Sequence, residues 1–483
     1  MKYAFCLILF SLFSFTGFSQ ILNPSFEDNL SQWNIKERNH FHFSIDSSQK
    51  HIGNQSLKIN GRETQSSDYI PFSQPVLISL NHLQTIKISS YVKTENLKGN
   101  AALWCQVWDK NNKMIGFQNS EMQNLFINGN TDWQKYSLTI TADSSVKKLV
   151  LGGYVSGDGT AWFDDLQIVY ANKKDSTTSA EVKKFITDFN DIIKKNSIYS
   201  DSLNWESINK NIQDLYAGLK TIDEAKVLTS YMIDQLRKAG DNHSFLQTKT
   251  VAENYTKDNS TPLKPKAKLL ENGIGYIYVP GFTSTNDSVS KLFTDTIQNL
   301  IRKIDIQNKI RGWIVDLREN QGGNMYPMIA GLGPLIGNGT LGYFIKNDQG
   351  LSISNRWYYE DGIAGTGKNL NLTKKNDPYL IKNPMQKIAV LIGAKTSSSG
   401  EMTAISFIGK KNVKLFGQHS GGYTTGNVSF RLSDGSALVL ACSLVADRNK
   451  KQYLKGIDPD VLVADLKKVN DDVLGAAKRW INE

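Results

Sequence analysis

Residues 388–409 read IAVLIGAKTSSSGEMTAISFIG. Ile388–Ile392 is an apolar strand, residues 396–400 form a small serine-rich turn, and Glu401–Gly409 returns as a helix. A further short strand, Val413–Phe416, follows. Upstream the same order appears. Ile274–Val279 reads as a strand, Asp287–Ile304 as an amphipathic helix, and Trp313–Leu317 as a buried strand. Strands alternating with helices predict an α/β domain with a largely parallel core over residues 247–483.

Residues 20–171 have a different texture. Short alternating runs (Thr85–Val92, Ala101–Val107, Gln134–Ile140, Lys148–Val155) are separated by turns rich in Asn, Gly, Asp and Ser. Five of the nine tryptophans fall here: Trp33, Trp104, Trp108, Trp133 and Trp162. The pattern predicts an all-β jelly-roll sandwich. Trp104 and Trp108 share one strand-face parity. Such a pair packs in the core, as most sandwich aromatics do, or offers its rings to a sugar.

Residues 172–180 are small, polar and poor in apolar side chains, the composition of a linker. Helical periodicity then begins with Val182, Phe185, Ile186, Phe189, Ile192 and Ile193. Two more helices are predicted near Trp205–Leu219 and Ile222–Ala239, with Gly240 where a left-handed residue ends a helix. Residues 181–246 are thus expected to form a small helical subdomain that delivers Asp241-Asn242-His243-Ser244.

A chain of 483 residues, 40% hydrophobic and 21% charged, has material for two or three folded domains. The formal charge of +10 comes from scattered basic residues that neighbour acids, with no compact Lys/Arg cluster, so nucleic acid is not an expected partner. Residues 1–19 carry Lys2, an apolar run from Ala4 to Phe15 and small residues at Gly17 and Ser19. They read as a signal peptide, the run being shorter than the roughly 20 residues of a membrane span. Export to the periplasm, cell surface or medium is expected, without a membrane-spanning segment. Cys6 falls within the signal, and Cys105 and Cys442 lie far apart, so no disulfide framework is indicated.

Three segments carry the chemistry: Gly240–Ser244, Val315–Gly323 (VDLRENQGG) and Thr396–Glu401 (TSSSGE). A serine between strand and helix exposes its hydroxyl to the free N–H groups of the helix start, which suits a nucleophile whose reaction develops an oxyanion. Taken alone, the run reads more readily as helix capping. The Trp313–Leu317 strand contains Asp316 and leads into Gly322-Gly323, whose backbone can approach a ligand without a Cβ. Gly322 or Gly323 could supply one oxyanion donor and the N–H of Ser399 the other. His243 and His419 are the only histidines beyond the β region. His243 is the expected base and His419 its alternative.

The three segments resemble the signature of the C-terminal-processing (tail-specific) and tricorn-like serine peptidases. In that family an Asp-x-His-Ser element precedes an Asp-Leu-Arg-x-Asn-x-Gly-Gly strand end and then Thr-x-Ser-x-x-Glu. The resemblance places the nucleophile on Ser398 and the Asn-Gln-Gly-Gly turn on Asn320–Gly323. A fourth element, Gly-x-x-Pro-Asp, is met by Gly456–Asp460. It implies a crotonase-like peptidase core, a peptide or unfolded protein as substrate and no catalytic cofactor.

Where the tail-specific branch has its lysine this chain has Tyr423, and about 20 residues after His243 leave no room for a PDZ domain. Both departures point to the tricorn-like branch, which uses histidine. That branch has a serine before its histidine, where Asn242 stands here, and a late glutamate, for which Asp447 or Asp458 is the substitute to consider. Glu401, three residues after Ser398, matches the second half of a capping box and is expected to be structural. A degenerate domain that only holds peptides or glycan is the rival reading.

Asn23–Glu27, Tyr91–Asn96 and Gly159–Asp165 resemble stretches of the carbohydrate-binding jelly rolls found on secreted enzymes. That resemblance implies a glycan ligand, and a structural calcium held by Glu27 and Asp164.

Overall fold

The computed structural model describes residues 21–483 apart from 36–39, 65–67, 82, 124, 171–176, 217, 256–262, 347–354, 368–369 and 464–470. The expected signal peptide and most of the expected linker therefore lie outside the described residues. Two compact units form. One contains the described residues through Lys183 together with Trp205–Arg237, and the other contains Lys184–Asn204 and Lys238–Glu483. The helices Ala180–Asn196, Trp205–Tyr216 and Ile222–Lys238 are present. They are divided between the two units rather than standing as a subdomain of their own. Among the described residues, no helix is long and apolar enough to cross a membrane.

The first unit holds the all-β sandwich together with the helices Trp205–Tyr216 and Ile222–Lys238. Its nine strands are organised by one continuous strand, Gln84–Asp109, which joins two runs expected to be separate. The first half of this strand pairs with Ile127–Ala142 and Gly159–Tyr170. Its second half pairs with Met114–Asn119 and Val146–Ser156. One strand serving both ends of the sheet curls it around a core that includes Phe26, Phe72, Phe163, Leu103 and Cys105. Trp104 and Trp108 alternate with the buried Leu103, Cys105 and Val107, so they stand on the opposite face and are half-buried.

In the second unit β1 (Lys266–Leu270), β2 (Ile274–Tyr278), β3 (Gly312–Asp316), β4 (Lys387–Ile392), β5 (Val413–Gly417) and, later in the chain, β8 (Val461–Leu462) form a six-stranded sheet in that order. Only the β1–β2 pair is antiparallel. Helices α1 (Asp287–Gln307) and α2 (Met325–Ile336) cover one face, and α4 (Asp472–Asn482) the other. Trp313, Val315 and Val390 pack with Phe293, Ile297 and Met328 on one side. Ile314, Ala389 and Leu391 meet Val473, Ala477 and Ile481 on the other. A strand covered on both faces needs apolar residues at every position, and all of β3 is buried. Side chains start the helices. Asn286, Asn324 and Asp471 accept the N–H groups of Val289, Tyr326 and Leu474 at 3.1, 3.2 and 3.0 Å.

An eight-stranded antiparallel sheet completes the unit, where no strands were expected. Its longest member is β7 (Ala437–Asp447), paired with β6 (Thr425–Arg431) and with Phe245–Gln247. Parallel β3 and β4 end at the same edge of the six-stranded sheet, so the segments after them run side by side. The Ser397 N–H donates to Asn320 O at 3.0 Å across this gap.

Candidate active site

Helix α3 (Ser399–Ile405) begins directly after Ser398, whose backbone lies at φ 53°, ψ −122°. A residue other than glycine is strained there by about 1–3 kcal/mol. This conformation turns the chain sharply between β4 and α3. Four hydrogen bonds hold the turn's carboxylate brace, Glu401. Oε2 accepts the N–H of Ser398 at 2.8 Å and that of Tyr423 at 3.0 Å. Oε1 accepts the Ser420 hydroxyl at 2.5 Å and the Gly422 N–H at 2.9 Å. Burial pushes the Glu401 carboxyl up, and these donors pull it partly back.

His243 reaches this serine from just before Phe245–Gln247. The Asp241 carboxylate accepts the N–H groups of His243 and Ser244, both at 2.9 Å, and the Ser244 hydroxyl at 2.5 Å. The Ser244 hydroxyl oxygen in turn accepts the Ala441 N–H from β7 at 2.9 Å. So anchored, His243 Nε2 lies 3.0 Å from Ser398 Oγ. Its Nδ1 lies 2.7 Å from Thr425 Oγ1, and its carbonyl accepts from Asn427 Nδ2 at 2.9 Å. Burial lowers the imidazole to about 4, since nothing charged compensates the desolvation of its cation. The Tyr423 ring packs edge-on against the His243 ring at 5.4 Å between centroids.

The glycine turn lies against Ser398. Gly322 has φ +99°, and a Cβ there would sit 2.9 Å from Ser398 Cβ and 3.0 Å from Ser399 N. Its N–H donates to Asn320 Oδ1 at 3.0 Å, which removes it as an oxyanion donor. The N–H groups of Gly323 and Ser399 find no acceptor among the described residues. Gly323 is held by the Ser399 hydroxyl, which donates to its carbonyl at 2.5 Å. Asn320 is fully buried, and its Nδ2 donates to the carbonyls of Val279 and Pro280, both at 3.2 Å.

The other acidic candidates are placed elsewhere. Asp316 turns to Arg318, accepting from Nε at 3.0 Å and Nη2 at 2.6 Å, and takes the Tyr276 hydroxyl at 2.8 Å. Asp447 braces its own turn through the N–H groups of Asn449 and Lys451 and the Tyr453 hydroxyl. Asp458 is 2.7 Å from His419 Nδ1, and His419 Nε2 meets the Lys455 carbonyl. Neither aspartate stands beside His243, and His419 does not reach Ser398. Asn242 is exposed and takes no part in the bonds of His243. Sequence reasoning missed Thr425 and Asn427. The only signal for them was their position immediately after the Tyr423-Thr424 stretch.

In the β unit, Glu27 and Asp164 flank one loop, residues 51–55. Glu27 accepts the N–H groups of Asn54 and Gln55, and Asp164 those of His51 and Ile52. Among the described residues no group of three or more His, Cys, Asp or Glu side chains is placed to hold a metal ion. Backbone N–H groups hold both carboxylates against this loop.

Residues 273–463 match peptidase family S41, and residues 19–155 match a carbohydrate binding domain. The nisin-resistance protein of Lactococcus lactis subsp. lactis is 34% identical over 266 residues, covering 55% of this chain and 78% of that protein. A lipoprotein from Streptococcus agalactiae superposes with a TM-score of 0.51 at 26% identity, over 65% of this chain and 98% of its own. On these matches the chain belongs to peptidase family S41, as a serine peptidase that carries a carbohydrate binding domain.

Proposed function

We propose that this peptidase is exported and cleaves peptides or protein tails through an acyl-enzyme on Ser398. His243 Nε2 takes the hydroxyl proton as Ser398 Oγ attacks the substrate carbonyl. The N–H groups of Ser399 and Gly323 receive the developing oxyanion, and the C–N bond breaks as His243 returns its proton to the leaving amine. Water then attacks the acyl-enzyme by the reverse sequence. The observation that carries this reading is the 3.0 Å separation of His243 Nε2 and Ser398 Oγ. A degenerate domain that only holds peptides or glycan is the rival reading, motivated by the missing lysine and the uncertain acid; a histidine within hydrogen-bond reach of the serine answers the first of these.

The carbohydrate binding domain would keep the enzyme near a glycan surface. Trp104 and Trp108 are the rings to test, since they stand half-buried on one face of the sheet. The deciding experiment compares wild type with Ser398→Ala on denatured casein and on nisin, the latter suggested by the name of a relative. Loss of turnover and of fluorophosphonate labelling in the variant is expected. Equal turnover would overturn the assignment.

A further inference from the structure

We infer that Thr425 and Asn427 stand where a catalytic triad carries its acid, and that this neutral pair fixes His243 in the tautomer whose Nε2 lone pair faces Ser398. The inference rests on the Ser398–His243 reading above. It follows from which atoms can donate. The His243 carbonyl can only accept, and it lies 2.9 Å from one end of the Asn427 amide, so that end is the NH₂ group. The other end, Oδ1, can only accept, and it lies 3.1 Å from Thr425 Oγ1. The single hydroxyl proton of Thr425 is therefore directed to Asn427.

Thr425 has one further polar contact with the ring, 2.7 Å to His243 Nδ1. With its proton spent on Asn427, Thr425 Oγ1 must accept there, and the hydrogen must come from the ring. Nδ1 then carries N–H, and neutral imidazole leaves Nε2 bare. Bare Nε2 is the atom 3.0 Å from Ser398 Oγ. The Asn427 amide grips the main chain of His243 while Thr425 grips its ring, so the pair sets position as well as tautomer. The β6–β7 register shifts between Gly426 and Asn427, an irregularity of the kind that re-aims side chains beside active sites.

A carboxylate in this place would also stabilise the imidazolium formed during attack, and an amide supplies only a dipole. The groups around the ring are consistent with that difference. They are Thr425, the Tyr423 ring and Ser398, while Asp241 meets the His243 backbone. Thr425 and Asn427 are thus positioning residues, acting on the reaction through His243.

The test measures fluorophosphonate labelling of Ser398, and kcat and KM on labelled casein, in wild type, T425V, T425S, N427D, S398A and H243A. T425V should lower kcat and labelling about 100-fold, the lower end of what a well-placed base contributes, with KM little changed. T425S should recover most of that loss. N427D should move the acid limb of kcat/KM to higher pH by about one unit, as a nearby anion favours the imidazolium. In ¹⁵N-histidine spectra of the wild-type protein, the His243 signals should show a protonated Nδ1 and a bare Nε2. Labelling of folded T425V at the wild-type rate, or a bare Nδ1 in the wild-type spectrum, would overturn the inference. The spectrum decides the matter even where T425V does not fold. If S398A or H243A labels as wild type does, it is the underlying serine–histidine reading that fails.

Discussion

The Glu401 carboxylate and the backbone of Ser398 are joined by a 2.8 Å hydrogen bond, and the same oxygen takes the N–H of Tyr423 at 3.0 Å. One buried side chain thus ties the turn of Ser398 to the loop whose tyrosine packs on His243. Helix capping and site assembly are here a single feature. Glu401→Gln places an NH₂ group where only acceptors fit, so at least one backbone donor loses its partner. Such a loss costs about 1–3 kcal/mol. The expected outcome is a lower Tm together with a large fall in fluorophosphonate labelling. Wild-type labelling in a folded E401Q protein would show that the brace is not needed for the nucleophile's geometry.

Gly322→Ala should disturb Ser398 directly. The new methyl would sit 2.9 Å from Ser398 Cβ, in a backbone conformation that side chains rarely adopt. Ser398 must move, and nucleophile–base geometry tolerates little displacement. At least a tenfold loss of kcat is expected. Gly323→Ala would meet the Phe282 carbonyl oxygen at 2.1 Å, so this residue must shift as well, and a lower Tm is expected together with a loss of kcat as its N–H leaves the oxyanion position. Equal kcat in G322A and wild type would contradict the close approach described above.

His243 gives a pH prediction with a definite sign. Burial holds it at about 4, against 6.5 for the unperturbed group, so the base stays neutral well into acid solution. The acid limb of kcat/KM should fall well below pH 6.5, toward pH 4. Stability shifts in the same window. As the pH drops below 6.5 the unfolded chain takes up the proton before the folded one, so this group's contribution is full above 6.5 and is lost as the pH falls toward 4. An acid limb at or above pH 6.5 would refute the assignment of His243 as a desolvated base.

The parallel core was legible because β3 and β4 are covered on both faces, which forces uninterrupted apolar runs that stand out without an alignment. The antiparallel sheet was not. Residues 425–431 (TGNVSFR) are mostly half-buried or exposed and include a register shift, so neither alternation nor a solid apolar run marks them. Ser398 and Gly322 could be found because each lies at the end of a readable strand. The partner of His243 Nδ1 could not, because 182 residues separate it from Thr425 and no local spacing encodes that contact. The same limit explains why Asp447 and Asp458 looked eligible. An acid late in the chain fits the motif order, but its hydrogen bonds decide whether it faces the site.

The carbohydrate binding domain offers a test independent of the peptidase chemistry. Trp104 donates its ring N–H to the Gly153 carbonyl at 3.1 Å, and Trp108 donates to Gln106 Oε1 at 3.1 Å, with Lys148 Nζ 4.9 Å from its ring centre. These bonds fix the rings at the sheet face, and a fixed aromatic platform is what a sugar ring stacks on. Retardation in gels containing soluble polysaccharides should be abolished or strongly reduced in W104A and W108A. Ser398 labelling should be unchanged. Undiminished retardation in both variants would move the glycan site off this face.

Asp316 and Arg318 supply the opposite expectation, a site-adjacent pair whose loss costs stability and not chemistry. Arg318 Nη2 is 2.6 Å from Asp316 Oδ2 and 2.8 Å from Asp471 Oδ2, which joins the end of β3 to the residue that caps α4. The two carboxylates hold the guanidinium firmly charged, against the pull of burial. Arg318→Ala leaves Asp316, almost fully buried, without its cation. Removing one partner of a fully buried pair costs about 3–5 kcal/mol, and the partial exposure of Arg318 reduces this to about 2. A fall in Tm is expected, with the rate of Ser398 labelling per folded molecule unchanged. A selective loss of labelling at unchanged Tm would instead give Asp316 a part in orienting the site.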